Sequence, residues 1–153
     1  MSQLSLADFA DKLNEIMPVI IREFARRHVD DALYKGKVTL QQFFALDYLN
    51  RENEIKMTDL ARFMNVTTAA TTGIADRLVK SGYILRLSDP SDRRIIKIKI
   101  TPKGSELVNK VHRQRRKTVM DIFSKISESD RQDYLRILAK VKEELHKEKE
   151  EKL

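Results

Sequence analysis

The pentapeptide IKIKI at residues 96–100 constrains the fold most, because it is the one convincing strand in a chain that otherwise favours helices. Its isoleucines fall on one side and its lysines on the other, which is the period of two expected of a half-buried strand. A strand needs a partner, and YILRLS at residues 83–88 is β-prone and is separated from it by the turn sequence DPSD at 89–92. We therefore predict a mainly α fold with a small β-hairpin.

Helices are predicted elsewhere, because the 153 residues include only 4 glycines and 3 prolines. Thr39 and Gln42 form a capping box that opens a helix over residues 40–52. A longer first helix carries an apolar stripe at three- and four-residue steps, and Pro18 inside it predicts a kink or a break. The stripe consists of Leu6, Phe9, Leu13, Ile16, Ile20 and Phe24.

Residues 57–82 have the outline of a helix-turn-helix. A short apolar face at residues 60–64 is interrupted at Asn65, and Thr67 is then a good N-cap for a second helix. Gly82 is a natural residue to follow the end of that helix. The buried positions predicted for the second helix are Ala70, Ile74 and Leu78.

The C-terminal third is predicted to be two helices. Thr101 and Pro102 start the first directly from the strand, and it runs to about Ile126, while Ser127 begins the second. The apolar stripe of the second helix consists of Tyr134, Leu138, Val141 and Leu145. Because stripes at both ends of the chain have no third partner in the sequence, we predict a dimer built from the terminal helices. The alternative is that these helices pack on the centre of their own chain.

The net charge of +7 is unevenly distributed, with −1 over residues 1–53, +4 over 54–100 and +4 over 101–153. A basic chain suits a polyanionic partner, with nucleic acid favoured over an anionic membrane. A merely soluble basic surface would give the same total. No apolar run is long enough to cross a bilayer, the N-terminus does not resemble a signal peptide and there is no cysteine, so we expect a cytoplasmic protein.

The second helix of the helix-turn-helix is the candidate recognition helix. Its small hydroxyl side chains would let it enter a major groove, and its N-terminus offers backbone N–H groups to phosphate. Gly73 weakens the helix, which would be explained by close approach to a sugar-phosphate strand or by a tight helix crossing. An ordinary threonine-rich surface helix is the alternative. The residues of this helix expected to be exposed and to contact DNA are Thr67, Thr68, Thr71, Thr72, Arg77 and Lys80.

The hairpin adds a second basic surface. Arginine at a protruding tip can enter a narrow, A·T-rich minor groove, where the negative potential is deepest. Asp92 is placed to hold the backbone or an arginine, and Lys97 and Lys99 also fit a strand edge protected against aggregation. The DNA-contacting candidates of the hairpin are Arg86, Asp92, Arg93 and Arg94.

Catalysis finds no support in the sequence. His28, His112 and His146 are far apart and have no metal-ligand spacing with another histidine or with cysteine. No phosphate loop, nucleophile elbow or zinc-binding helix is present. We expect neither an enzyme nor a bound cofactor or metal.

The linked segments DRLVKSGYILR, DPSDRR and ITPKG, in this order and spacing, resemble the MarR family of bacterial winged helix-turn-helix transcriptional regulators. The similarity is close over residues 38–104, and the helix order extends it over nearly the whole chain. It implies an N-terminal dimerisation helix (1–37), a winged helix-turn-helix DNA-binding domain (38–104) and C-terminal dimerisation helices (105–153) that form one continuous globular unit.

The resemblance also implies a function. A homodimer would bind a pseudo-palindromic operator in double-stranded DNA, with recognition helices in major grooves and wings in flanking minor grooves. By position Thr68, Thr71 and Thr72 match recognition-helix contacts, and Arg94 matches the wing arginine with Asp92 as its companion. Many members are released from DNA by small aromatic or anionic effectors, so a ligand-released repressor is expected. A winged-helix module that binds protein instead of DNA is the alternative.

Overall fold

A computed structural model describes the backbone of residues 4–27 and 36–150 and the side chains of these residues up to 147. The helices are α1 (Leu6–Arg27), α2 (Leu40–Glu52), α3 (Met57–Met64), α4 (Thr68–Lys80), α5 (Pro102–Phe123) and α6 (Glu128–Glu150), and the strands are β1 (Glu54–Lys56), β2 (Ile84–Ser88) and β3 (Ile96–Ile100). The predicted class, mainly α with a β-hairpin, is confirmed. The chain divides into two compact units at Arg115 and Arg116, and α5 runs through the boundary.

A three-stranded antiparallel sheet in the order β1-β3-β2 lies in the first unit. The hairpin of β2 and β3 was predicted, but β1 was missed, because Glu54–Lys56 has a single apolar residue and forms a strand only by pairing with β3. Asn53 makes the connection from α2 in a left-handed conformation, with φ of 65°. Asparagine tolerates this region better than most residues.

The core of the first unit fills the space between α2, α3, α4, the sheet and the start of α5. Ile98 of the central strand is 0% exposed, whereas Ile96 at the outer end of the same strand is 37% exposed. The buried side that the alternation predicted therefore includes Ile98 and Ile100 but not Ile96, because the hairpin extends beyond the helices there. The largest fully buried side chains include Phe43, Leu46, Leu49, Leu60, Leu78, Ile84, Val108 and Val111.

Local signals fix the ends of several helices as predicted. Thr39 and Gln42 exchange both hydrogen bonds of the capping box. Gly82 follows α4 with φ of +73°, and the Thr101 hydroxyl accepts from the Gly104 amide at 3.1 Å to start α5. At Gly104 an added Cβ would lie 2.3 Å from the Tyr83 carbonyl oxygen, so only glycine lets α5 begin this close to the sheet.

α1 is a single helix that continues through Pro18, so, of the kink or break predicted there, the break is excluded. None of its residues is buried, and the apolar stripe at Leu6, Phe9, Leu13, Ile16 and Ile20 is exposed.

In the second unit α5 ends at Phe123, three residues before the predicted Ile126. The Ser127 hydroxyl accepts from the Asp130 amide at 3.1 Å, which confirms the cap of α6. The stripe of Tyr134, Leu138, Val141 and Leu145 on α6 is exposed.

Candidate nucleic-acid interface

The first turn of α4 presents two threonines to solvent. Thr67 is the N-cap, and its hydroxyl accepts from the Ala70 amide at 3.2 Å. Thr68 follows as the first helical residue, and both threonines are exposed. The remaining amides of the turn and the positive end of the helix dipole suit a phosphate oxygen.

Thr71 is buried, with 0% exposure, and the prediction that it is an exposed contact is wrong. Its neighbours on the buried side of α4 are Ile74, Ala75 and Leu78, and Ala70 takes an exposed position instead of the predicted buried one. Burial costs the Thr71 hydroxyl little, because it donates to the Thr67 carbonyl at 3.0 Å. A helical threonine can satisfy its own polar group in this way, which composition alone does not reveal.

Further along α4 the predicted residues remain accessible. Thr72 is partly exposed, and its hydroxyl donates to the Thr68 carbonyl at 2.9 Å and keeps acceptor capacity for a ligand. Arg77 and Lys80 are exposed, and their side chains form no ion pair with the described residues. At Gly73 an added Cβ would meet nothing within 4 Å. A tight helix crossing within the described chain therefore does not explain this glycine.

The turn of the hairpin is held by two carboxylates. Asp89 accepts from the Ser91 amide at 2.9 Å, and Asp92 accepts from the Arg94 amide at 2.9 Å. The expectation that Asp92 holds the backbone is confirmed. The turn closes with a hydrogen bond from the Asp89 amide to the Ile95 carbonyl at 3.0 Å. Side-chain to backbone bonds of this kind stiffen a turn.

Two cations of the hairpin are engaged within the chain. Lys97 Nζ lies 2.9 Å from Asp89 and 3.6 Å from Glu54, so it joins the turn to β1. The hydrogen bond from Lys97 is the main cause that lowers the pKa of Asp89, and the same bond raises the pKa of Lys97. Arg86 Nη1 lies 2.6 Å from Asp76 of α4, and Arg86 Nη2 donates to the Thr72 carbonyl at 3.4 Å.

The two arginines of the turn differ from these cations. Arg93 and Arg94 are exposed, and neither side chain forms a hydrogen bond or ion pair with the part of the chain that the structure describes. The neighbouring carboxylates are already satisfied by backbone amides and by Lys97. Both guanidinium groups can therefore bind a polyanion without breaking an internal contact.

The remaining predicted features do not form a site of their own. His112 is exposed and its Nε2 lies 2.8 Å from Asp47 Oδ1, His146 is exposed on α6, and His28 lies outside the described residues. No cluster of metal-ligating side chains occurs among residues 4–27 and 36–147. None of the helices in the described chain combines the length and apolar character needed to span a membrane.

Comparison with known proteins agrees with this geometry. The sequence pattern of the MarR family matches residues 38–96, the segment that holds the helix-turn-helix and most of the hairpin. The chain belongs to the MarR family. The hairpin is thus the wing of a winged helix, as the resemblance implied.

Individual relatives are similar over most of their length. The uncharacterized HTH-type transcriptional regulator YsmB of Bacillus subtilis is 26% identical over 140 residues, which cover 92% of each chain. The HTH-type transcriptional repressor MdtR of the same organism is 29% identical over 111 residues, 72% of each chain. These relatives are regulators, which confirms the expectation that this MarR-family chain is not an enzyme.

Among solved structures, Streptococcus pneumoniae FabT in complex with DNA matches 90% of this chain and 98% of its own, with a TM-score of 0.77 and 18% identity. At this identity the likeness establishes the fold alone.

The partners of the paired wing cations were not predicted from the sequence. The alternation along β2 did indicate that Arg86 has an internal contact. Arg86 is on the same side of the strand as buried Ile84 and is paired across the sheet with Ile98. Asp76 on α4 could not be identified as its partner, since the two residues meet only when the helix packs on the sheet.

Proposed function

We propose that this MarR-family protein is a sequence-specific, DNA-binding transcriptional regulator. The proposal rests on one observation: a single folded unit presents the uncommitted arginines of the wing turn and the exposed threonine turn of α4, while Arg86 and Lys97 of the wing strands are paired internally. Phosphate contacts would supply much of the affinity, and base-edge contacts from α4 would supply sequence choice.

In this proposal α4 enters a major groove with its N-terminal turn leading. Thr67, Thr68 and Thr72 contact phosphates or thymine methyl groups, and Arg77 and Lys80 contact the backbone of the duplex. Arg94, with Arg93 beside it, reaches the minor groove, and Asp92 holds the turn that carries them. The complex of FabT with DNA supports a DNA partner for this fold.

We further propose that the protein acts as a homodimer joined by its terminal helices. The stripe of α1 has no buried residue, and Leu6 on it is 83% exposed, which is costly for an apolar side chain of a monomer. The stripe of α6 is similarly exposed. A two-fold dimer would present two copies of α4 to a pseudo-palindromic operator.

Repression released by a small aromatic or anionic effector is the mode of action that the family resemblance supports, and MdtR is a relative named as a repressor. The protein would bind its operator in the cytoplasm.

The test is a binding titration on the DNA upstream of the protein's own gene and on a scrambled duplex, each at two salt concentrations. We expect preference for the upstream DNA, a steep loss of affinity with salt and weaker binding on addition of an aromatic acid such as benzoate. Equal, salt-insensitive binding to both duplexes would contradict the proposal and favour a protein-binding module. Light scattering on the same sample tests the dimer.

The Arg94→Ala variant is expected to lose about 1–3 kcal/mol of DNA-binding free energy, because it removes a cation that has no internal role in the described chain. Arg136→Ala is the matched control, since Arg136 on α6 is paired with Asp133 at 2.9 Å. Unchanged affinity of Arg94→Ala at both salt concentrations would remove this residue from the interface.

A further inference from the structure

We propose that Arg86 is a positioning residue of the DNA interface and not a phosphate ligand: through Asp76 it fixes the wing to the recognition helix. The inference rests on the proposed DNA-binding function, and it assigns a role to an acidic residue, Asp76, that sequence analysis passed over.

The contacts of Arg86 join two separate elements. Its guanidinium lies 2.6 Å from the Asp76 carboxylate and donates to the Thr72 carbonyl at 3.4 Å, so it contacts α4 at two residues one turn apart. Its own position on β2 is fixed by pairing with buried Ile98 of β3. Within the described residues this is the one ion pair between the wing strands and α4.

The position of Asp76 explains why such a pair is needed. Asp76 is four residues after Thr72 and four before Lys80, so it belongs to the same exposed row of α4 that is proposed to face DNA. An uncompensated carboxylate in this row would repel phosphate. Arg86 neutralises the carboxylate and, by the same contact, holds the wing at a set distance from the helix.

Stability does not explain the pair, because the Arg86 and Asp76 side chains are 36% and 56% exposed. Exposed ion pairs contribute little to the free energy of unfolding. Loss of the pair would affect the orientation of the wing more than the free energy of unfolding. Arg93 and Arg94 lie beyond the end of β2, so any rotation of the strand displaces them from the groove.

The two roles predict opposite results for Asp76→Asn. If Arg86 is a positioning residue, Asp76→Asn and Arg86→Gln each weaken binding to the operator roughly tenfold, and the double variant loses no more than either single one. If Arg86 is a phosphate ligand, Asp76→Asn binds as well as the parent or better, because a repelling charge is removed. That result would overturn the proposal.

The salt dependence gives a second criterion. Loss of a phosphate ligand lowers the slope of log K against log salt by about 0.9 per contact. We expect Arg86→Gln to keep the parental slope and Lys80→Gln, a control at a residue proposed to contact the backbone of the duplex, to lower it. A lowered slope for Arg86→Gln would contradict the positioning role.

A measurement without DNA separates this proposal from the proposed function. The chain has no cysteine, so Ser91→Cys in the wing turn accepts a single spin label in each subunit. We expect the label to become more mobile in Arg86→Gln and in Asp76→Asn, and to remain unchanged in Arg94→Gln. If the label is equally ordered in all variants the proposal fails, whereas absence of DNA binding by the parent would fail only the proposed function.

Discussion

The winged-helix part of the chain and helix α1 contrast in how they use apolar residues. The former buries Phe43, Leu46 and Ile98 within its own core, whereas the 22 residues of α1 include none that is buried. Isolated helices gain most of their stability from packing and not from propensity. The first region thus contains the interactions that fold it, whereas the exposed stripe of α1 belongs to the dimer interface that we propose. In this proposal folding and assembly are encoded in different parts of the sequence.

The largest expected effect comes from charging the stripe of α1. Ile16→Asp would place a carboxylate in each half of the proposed dimer interface, at a cost of about 3–5 kcal/mol for each unpaired buried charge. We expect a monomer in sedimentation experiments, a loss of operator binding and a winged-helix core that remains folded by circular dichroism. Asn14→Asp is the matched control, because it adds the same charge away from the stripe. A dimer that survives Ile16→Asp would mean that α1 is not at the interface.

A smaller effect, confined to the winged-helix part, is expected from truncating a buried side chain of the wing. Ile98→Ala removes a fully buried side chain and should lower the free energy of unfolding by about 2–5 kcal/mol, as measured by urea denaturation. The same substitution at Ile96, two residues earlier on the strand, serves as the control because its side chain is 37% exposed. Equal losses at both positions would mean that the wing does not share the core of the helices.

Structural features that depend on residues close together in the sequence could be predicted correctly. The Thr39 box, the Thr67 cap and the period of β3 each gave a correct element, since caps and alternation act over a few residues. Contacts between distant segments were not accessible in the same way. β1 exists because β3 pairs with it, and Arg86 has its partner because α4 packs on the sheet.

Thr71 shows a third kind of limit. Its polar side chain lies in the apolar core, because the Thr67 carbonyl accepts a hydrogen bond from its hydroxyl. The helical period and residue type predicted that Ala70 is buried and that Thr71 is exposed. In the structure Thr71 is buried together with Ile74 and Leu78, and Ala70 is exposed.

The smallest expected effect concerns pH, and it contrasts an ion pair of the wing with one of α1. Hydrogen bonds from Lys97 and from the Ser91 amide lower the pKa of Asp89, and a hydrogen bond from Arg26 lowers the pKa of Glu23. A carboxyl whose pKa is lowered on folding stabilises the folded state above its unfolded pKa, about 3.9 for Asp, and loses this contribution as pH falls through the folded value. Lys97, whose pKa is raised, keeps its contribution below its unfolded pKa of about 10.4 and loses it as pH rises through the folded value.

Both pairs should therefore be intact and indifferent to pH between about 5 and 9. The wing should loosen only once pH falls below about 4 and through the lowered pKa of Asp89, because protonated Asp89 releases Lys97 and weakens its bonds to the turn amides. Spin-label mobility at Ser91→Cys measures this loosening, and Glu23→Gln is the control, since the Glu23–Arg26 pair belongs to α1 and holds no turn. A change in wing mobility near pH 6 to 7 would mean that a histidine, and not Asp89, governs the order of the wing.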